Sequence, residues 1–418
     1  MGSLITLPLD IPNIKVLKTE TSATGDYVIT VESTLNSTRC QHCGREIAKF
    51  HGYDKEIRLR HLSILGRRVY ICLRPKRYQC PYCSHHPTTT QTLDWYDPKS
   101  PHTKAYEEHV LLQLVNSTLQ DVGRKENLGY DAVEGILDRW IRPSVDWSQF
   151  DALPVLGVDE IALKKGHRDF VAIVTARLVD GRVVVLAVLS DRQKETVKAF
   201  LNSMPLPLRQ TVKTVCVDMW EGYVNAVYDV FRKEEGCHVE VVVDRFHVAE
   251  KYHECTDHLR KQEMKRLKQE LSEEAYQQIQ GAMWPLRKRS TDLQPDEAAL
   301  LKRVFAHSPI LRQAHTLREN LTAIFEEHLS KEEATRKIKA WCAQVRASGL
   351  KCFDSFLTTL DNWLDEITNY FHQRYNSGFV EGLNNKIKVL KRRCYGILNV
   401  PHLFQRLYLD LEGYRLFT

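Results

Sequence analysis

The sequence predicts a multidomain α/β protein in which a sheet domain is split by an all-α tract and preceded by two small modules. Three observations predict it. Short apolar runs between residues 153 and 244 end repeatedly on a carboxylate, at Asp159, Asp218 and Asp244. Residues 246–375 then carry almost only helical periodicity, before a basic helix that opens with Glu381. Upstream stand two Cys-x2-Cys pairs, Cys40/Cys43 and Cys80/Cys83.

The 418 residues suffice for several domains and a sizeable core, and 43% hydrophobic with 27% charged residues is ordinary for a globular protein. The net charge of +6 is concentrated in runs such as Arg74–Arg77, Arg287-Lys288-Arg289 and Lys386–Arg393, a distribution compatible with nucleic acid. No apolar run reaches the ~18 residues of a membrane helix, and MGSLITLPLD lacks the basic-then-apolar form of a signal peptide. A cytoplasmic chain with no membrane partner is therefore expected. In that reducing setting the 11 cysteines argue for metal binding rather than disulfides.

Residues 1–100 are expected to form the zinc-binding domain. Each Cys-x2-Cys knuckle supplies two thiolates from one tight turn, so Cys40, Cys43, Cys80 and Cys83 complete a tetrahedron for a structural Zn2+. The long separation is filled by strand-like sequence such as Val69–Leu73, and a small sheet can bring the knuckles together. Residues 101–148 read as a helix, a short helix, a Leu128-Gly129 turn and a third helix carrying Val133, Ile136 and Leu137. This is a helix-turn-helix pattern. Asp131, Glu134 and Asp138 on the third helix would be repelled by a phosphate-lined groove.

Residues 149–250 hold the first part of the sheet domain. Three antiparallel strands (Val155–Asp159, Phe170–Val179, Val183–Leu189) are followed by helix, strand, helix and strand, with strands at Val212–Asp218 and Val239–Asp244. That order is the layout of a ribonuclease H-like domain, in which Asp159 and Asp218 end neighbouring strands. Residues 251–375 are the helical insertion. Residues 376–418 bring the closing helix and C-terminus, where Glu381, Asn384, Asn385 and Lys388 share one helix face and Leu383, Ile387 and Leu390 another. Carboxylates gathered from two strands and one helix suit Mg2+, which takes a few carboxylates plus water and substrate oxygens. Paired ions about 4 Å apart are a known solution to phosphodiester chemistry.

Four blocks carry a family resemblance: Gly157-Val158-Asp159-Glu160, Val217-Asp218-Met219-Trp220, Asp244-Arg245-Phe246-His247, and Glu381 through Lys388 into Lys391-Arg392-Arg393-Cys394-Tyr395-Gly396. They resemble the blocks of DDE transposases, and more narrowly the ISL3 family of bacterial insertion sequences. The resemblance implies that Asp159, Asp218 and Glu381 form a catalytic triad holding Mg2+ (or Mn2+), two ions per site. It implies that Lys388 touches DNA near the cut, and Asn385, Lys391, Arg392 and Arg393 are the further candidate DNA contacts. Asp244 and His247 are expected beside the site as auxiliary residues. The implied activity is binding of terminal inverted repeats in double-stranded DNA, metal-dependent cleavage and strand transfer into target DNA, by a homodimer or larger assembly. Two rivals remain at this level: a zinc-containing DNA-binding regulator that no longer cuts, and a ribonuclease H-like nuclease that hydrolyses without joining.

Overall fold

Alternating apolar and polar residues dominate the chain up to Thr90, and they fold as sheet. The four-stranded sheet runs Ile14–Thr21, Tyr27–Ser33, Arg67–Leu73, Ile57–Ile64 in spatial order. Its inward residues Ile29, Val31, Val69, Ile71 and Leu73 form a core with Leu93, Trp95 and Tyr96. This computed structural model describes residues 8–164, 168–232, 236–374 and 378–418, without the side chains of 164, 168, 169 and 378–381. It divides into two units, one reaching Arg142 and including Tyr408–Thr418, the other Pro143–Leu407.

In the first unit the helix-turn-helix is α1 (Lys104–Leu114), α2 (Leu119–Glu126) and α3 (Tyr130–Trp140). Val110, Leu111, Leu114, Val122, Val133, Ile136 and Leu137 are all buried together, as their helical spacing predicts. Between α2 and α3, Asn127 adopts a left-handed φ of 52° and the Leu128 amide donates to the Gly123 carbonyl at 2.8 Å. A Cβ on Gly123 would meet the Leu128 oxygen at 2.8 Å, so the tight turn requires glycine there.

Glu107 on α1 is the buried polar centre of this unit. Its carboxylate accepts from Ser100 Oγ at 2.6 Å, Trp140 Nε1 at 2.7 Å and the Arg139 guanidinium, with His102 at 3.7 Å. The end of the chain closes the same core. Leu409 is fully buried among α1–α3, Tyr408 and Phe417 pack against them, and Asp410 Oδ1 accepts the Asn116 amide at 2.9 Å. The sequence pattern assigns all of residues 376–418 to the sheet domain, whereas Tyr408–Thr418 pack with the helix-turn-helix.

The second unit is built on a five-stranded sheet. Its strands are β1 (Val155–Lys164), β2 (Arg168–Arg177), β3 (Val183–Val188), β4 (Thr214–Val217) and β5 (Glu240–Val243), in the spatial order β3-β2-β1-β4-β5. β1–β3 are antiparallel, and β4 and β5 add in parallel through helical crossovers. One expectation is corrected: β1 does not stop at Asp159 but continues to Lys164 against β2. Only its parallel pairing with β4 ends, at Val158.

After β5 comes α4 (Arg245–Glu270), which opens the helical insertion. The helix expected over Lys261–Gln280 is broken at Leu271, where Ser272 caps a new short helix. Pro285, Pro295 and Pro309 start the later segments, as their fixed φ favours. α5 (Gly378–Arg393) then returns to the sheet, and α6 (Val400–Phe417) ends the chain. Among the described residues no helix is long and apolar enough to cross a membrane.

Burial alone would raise the Glu107 pKa, but the hydrogen bonds from His102, Arg139, Ser100 and Trp140 prevail and bring it down to about 2. A carboxylate depressed on folding stabilises above its unfolded pKa and loses that contribution as pH falls through the folded value. The helix-turn-helix is therefore expected to lose about 3 kcal/mol between pH 5 and pH 2. Denaturant melts of the Glu107→Gln protein should show that acid dependence flattened; an unchanged profile would remove Glu107 as its source.

Candidate active site

The parallel ladder decides where the carboxylates go. Val158 is in register with Val217, and Val217 with Val243. Asp159, Asp218 and Asp244 are the next residues along the chain after these three, so all leave the parallel ladder at one level. They line a single open cleft of about 780 Å3, walled on its other side by α5. Leu383, Ile387 and Leu390 are the buried face of α5, and Asn384, Asn385 and Lys388 line the cleft.

Asp159 is held at both oxygens. Oδ1 accepts the Glu160 amide at 2.6 Å, and Oδ2 accepts Asn384 Nδ2 at 2.6 Å. Burial raises its pKa, against the lowering effects of the Glu160 amide, His247 and Asn384; the nearby Asp218 adds to the rise. A carboxylate in this position gains from a cation. Asp218 Oδ1 accepts the Met219 amide at 2.5 Å and lies 3.5 Å from His247 Nδ1. His247 is equally close to Glu250, at 3.5 Å.

Asp244 does not act as a third free carboxylate. It is 3% exposed and caps α4, its Oδ1 accepting the Phe246 amide at 3.0 Å. That cap sets the first turn of α4, and the Asp-x-x-His spacing brings His247 to Asp218. Glu381 lies in α5 one turn before Asn384; its side chain is outside the described residues. Of the basic candidates, Lys388 and Arg392 are exposed on the cleft. Lys391 also lines it, but its Nζ donates to the Ala162 carbonyl of β1 and burial lowers its pKa. It thus ties α5 to the sheet. Arg393 is not among the residues lining the cleft.

The donor set suits a hard cation. Asp159 and Asp218 offer carboxylate oxygens, and Asn384 Oδ1 is buried with no hydrogen-bond partner among the described residues. Oxygen donors without thiolate or a histidine cluster favour magnesium or manganese over zinc. Sequence reasoning put Asn384 on the right helix face but did not foresee its bond to Asp159. It also missed Phe246 and Tyr395, aromatics 47% and 97% exposed that line the cleft.

The cysteine cluster is a separate centre in the first unit. Cys40 follows the strand Thr38–Arg39, which pairs with Glu46–Ile47, and Cys80 follows Lys76–Gln79, which pairs with Lys49–Tyr53; Val69–Leu73, expected to join the knuckles, lies instead in the four-stranded sheet. Cys40 Sγ lies 3.8 Å from Cys83 Sγ and Cys43 Sγ 3.8 Å from Cys80 Sγ, with all four within 4.8 Å. A tetrahedron with Zn–S bonds of about 2.3 Å has edges of about 3.8 Å. The Cys43 and His42 amides lower the Cys40 thiol to about 6, favouring the thiolate that binds metal. This four-cysteine cluster is fitted to a structural zinc.

Three family models match successive parts of the chain. Residues 156–407 match the family model for the ISL3 transposase. Residues 36–83 match the zinc-finger of the transposases of IS204, IS1001, IS1096 and IS1165, and residues 91–141 the helix-turn-helix domain of transposase family ISL3. The chain is 28% identical over 389 residues to the transposase for insertion sequence element IS1001 of Bordetella parapertussis, covering 92% of this chain and 91% of that one. It is 23% identical over 400 residues to the transposase for IS1557 of Mycobacterium tuberculosis, covering 90% and 86%.

Purified protein is expected to carry one zinc per chain by elemental analysis. Cys80→Ser should abolish it and lower the melting temperature of the first unit, while the second unit's melt stays in place. Full zinc content in that variant would contradict the four-thiolate centre.

Proposed function

This chain belongs to the ISL3 family of DDE transposases, and we propose that the cleft between β1, β4 and α5 is where it cuts and joins DNA. The zinc ribbon and helix-turn-helix are its DNA-binding modules. The observation that carries the proposal is the pair Asp159 and Asp218, set side by side by the parallel register and facing a helix with Asn384, Asn385 and Lys388.

Asp159, Asp218 and Glu381 would hold Mg2+ or Mn2+, two ions per site. When bound, these ions activate the attacking oxygen and stabilise the departing one. The chain's own residues do the positioning. Asn384 and the Glu160 amide fix the Asp159 carboxylate. His247 steadies Asp218 from α4. Lys388 and Arg392, with Asn385, bind the phosphates of the strand to be cut, and Lys391 keeps α5 on the sheet. Hydrolysis breaks the P–O bond to the 3′ oxygen and leaves a 3′-hydroxyl. That hydroxyl then attacks a phosphodiester of target DNA, displacing another 3′ oxygen. The substrates are the terminal inverted repeats of the element, and two ends must be held together, which calls for a homodimer or larger assembly.

Asp159→Asn, Asp218→Asn and Glu381→Gln are expected to bind a DNA fragment bearing the element's ends as wild type does, and to show no cleavage with Mg2+ or Mn2+. Wild-type protein that binds the ends yet cuts with neither metal would leave the DNA-binding regulator as the better reading. Cleavage without joined product would favour the nuclease.

Asn384 is expected to act as a positioning residue. Asn384→Ala should raise the Mg2+ concentration for half-maximal cleavage by roughly ten- to a hundredfold, as loss of a supporting partner of a ligand does. Asn384→Gln should restore part of it, and an unaltered metal titration would refute the role.

A further inference from the structure

A second cavity, of about 410 Å3, opens beside the catalytic cleft and shares Asp244 and Phe246 with it. Its walls come from the first turns of α4, the segment around Arg287 and the insertion helix Pro309–Glu326. Arg245, Arg287, Arg289, Arg318 and His253 line it. The acids there are engaged. Glu326 takes a bidentate pair from Arg289 at 3.0 and 2.6 Å, and Asp244 caps α4. Arg245 donates to the Tyr370 hydroxyl at 3.5 Å and lies over its ring, and Arg287 lies over the Trp284 ring at 5.2 Å. Neither has a carboxylate partner among the described residues.

Deeper in, Arg318 is 6% exposed. It donates to the carbonyls of Arg287 and Lys288 and to Glu319, yet its Nε has no hydrogen-bond partner among the described residues. His253 Nδ1 is likewise buried and unpartnered among the described residues. Burial, with Arg318 and Arg287 nearby, brings His253 down to about 4, so it is neutral and able to donate or accept one hydrogen bond. Unanswered buried polar atoms cost stability unless something occupies the site. Phe246, half exposed on the first turn of α4, forms the wall common to cavity and cleft.

We propose that this cavity receives one nucleotide of a DNA strand led out of the duplex beside the cleft, its phosphate on Arg245 and Arg287 and its base laid on Phe246. The proposal rests on the reading of the neighbouring cleft as the DNA-cutting site. Guanidinium groups without acid partners select phosphate. An exposed aromatic face beside them selects a base, whatever its sequence. The volume lies in the range of about 300–1,000 Å3 that takes a single small molecule, not a duplex.

The test uses full-length protein carrying Asp159→Asn and two labelled duplexes of the element's end, one fully paired and one with its last few bases unpaired. Anisotropy titration is expected to show the unpaired form bound roughly tenfold tighter. Arg245→Ala with Arg287→Ala should erase that preference while leaving affinity for the paired duplex within about twofold, and the lysine pair should keep part of it. Both arginines stand on the cavity wall, and matching thermal melts exclude misfolding. A 2-aminopurine among the unpaired bases should be quenched on binding, and Phe246→Ala should relieve the quench. Equal affinity for the two duplexes, or a preference that survives the arginine pair, overturns the proposal. A preference that depends on Arg245 and Arg287 in a protein that never cuts DNA would sink the catalytic reading and leave the cavity standing. Asp159-dependent cutting without any preference would do the reverse.

Discussion

The second unit depends on the parallel register between β1 and β4. Pairing Val158 with Val217 is a backbone hydrogen-bond constraint, blind to the side chains that follow. It nonetheless decides that Asp159 and Asp218 emerge together. A slip of one residue would turn one carboxylate to the opposite face of the sheet. The register is secured by burial: Val155, Leu156, Val158, Val215, Cys216 and Val217 are all in the core. The repulsion between adjacent acids is thus borne by the apolar packing beneath them.

The same economy recurs at α4 and α5. Asp244 follows β5 and caps α4, so one side chain closes a strand and aims the histidine three residues on. Lys391 offers its charge to a backbone carbonyl of β1 and holds α5 to the strand that carries Asp159. In each case one side chain of the cleft also fixes another group that faces it.

Much of this was legible in the sequence, because the signals were local. Cysteine pairs, apolar runs ending on aspartate and the two faces of α5 are patterns of neighbours along the chain. What escaped depended on partners far away in sequence. β1 outlasts Asp159 because β2 supplies its other edge, which no reading of residues 153–160 contains. The bond from Asn384 to Asp159 joins residues from opposite ends of the domain. Lys391 reads as one more cation in a basic helix until its carbonyl partner is known. Arg287 reads as part of a basic run and Arg245 as part of the Asp-x-x-His block, and only the insertion's folding brings them to one cavity.

The last residues of the chain complete the core of the helix-turn-helix: Leu409 is fully buried there, with Tyr408 and Phe417 against it. A ribosome synthesises the DNA-binding unit first but cannot finish it first. α1–α3 wait through the whole catalytic domain for the strip that seals them. A chain that stops short of Tyr408 therefore leaves the core of α1–α3 without Leu409.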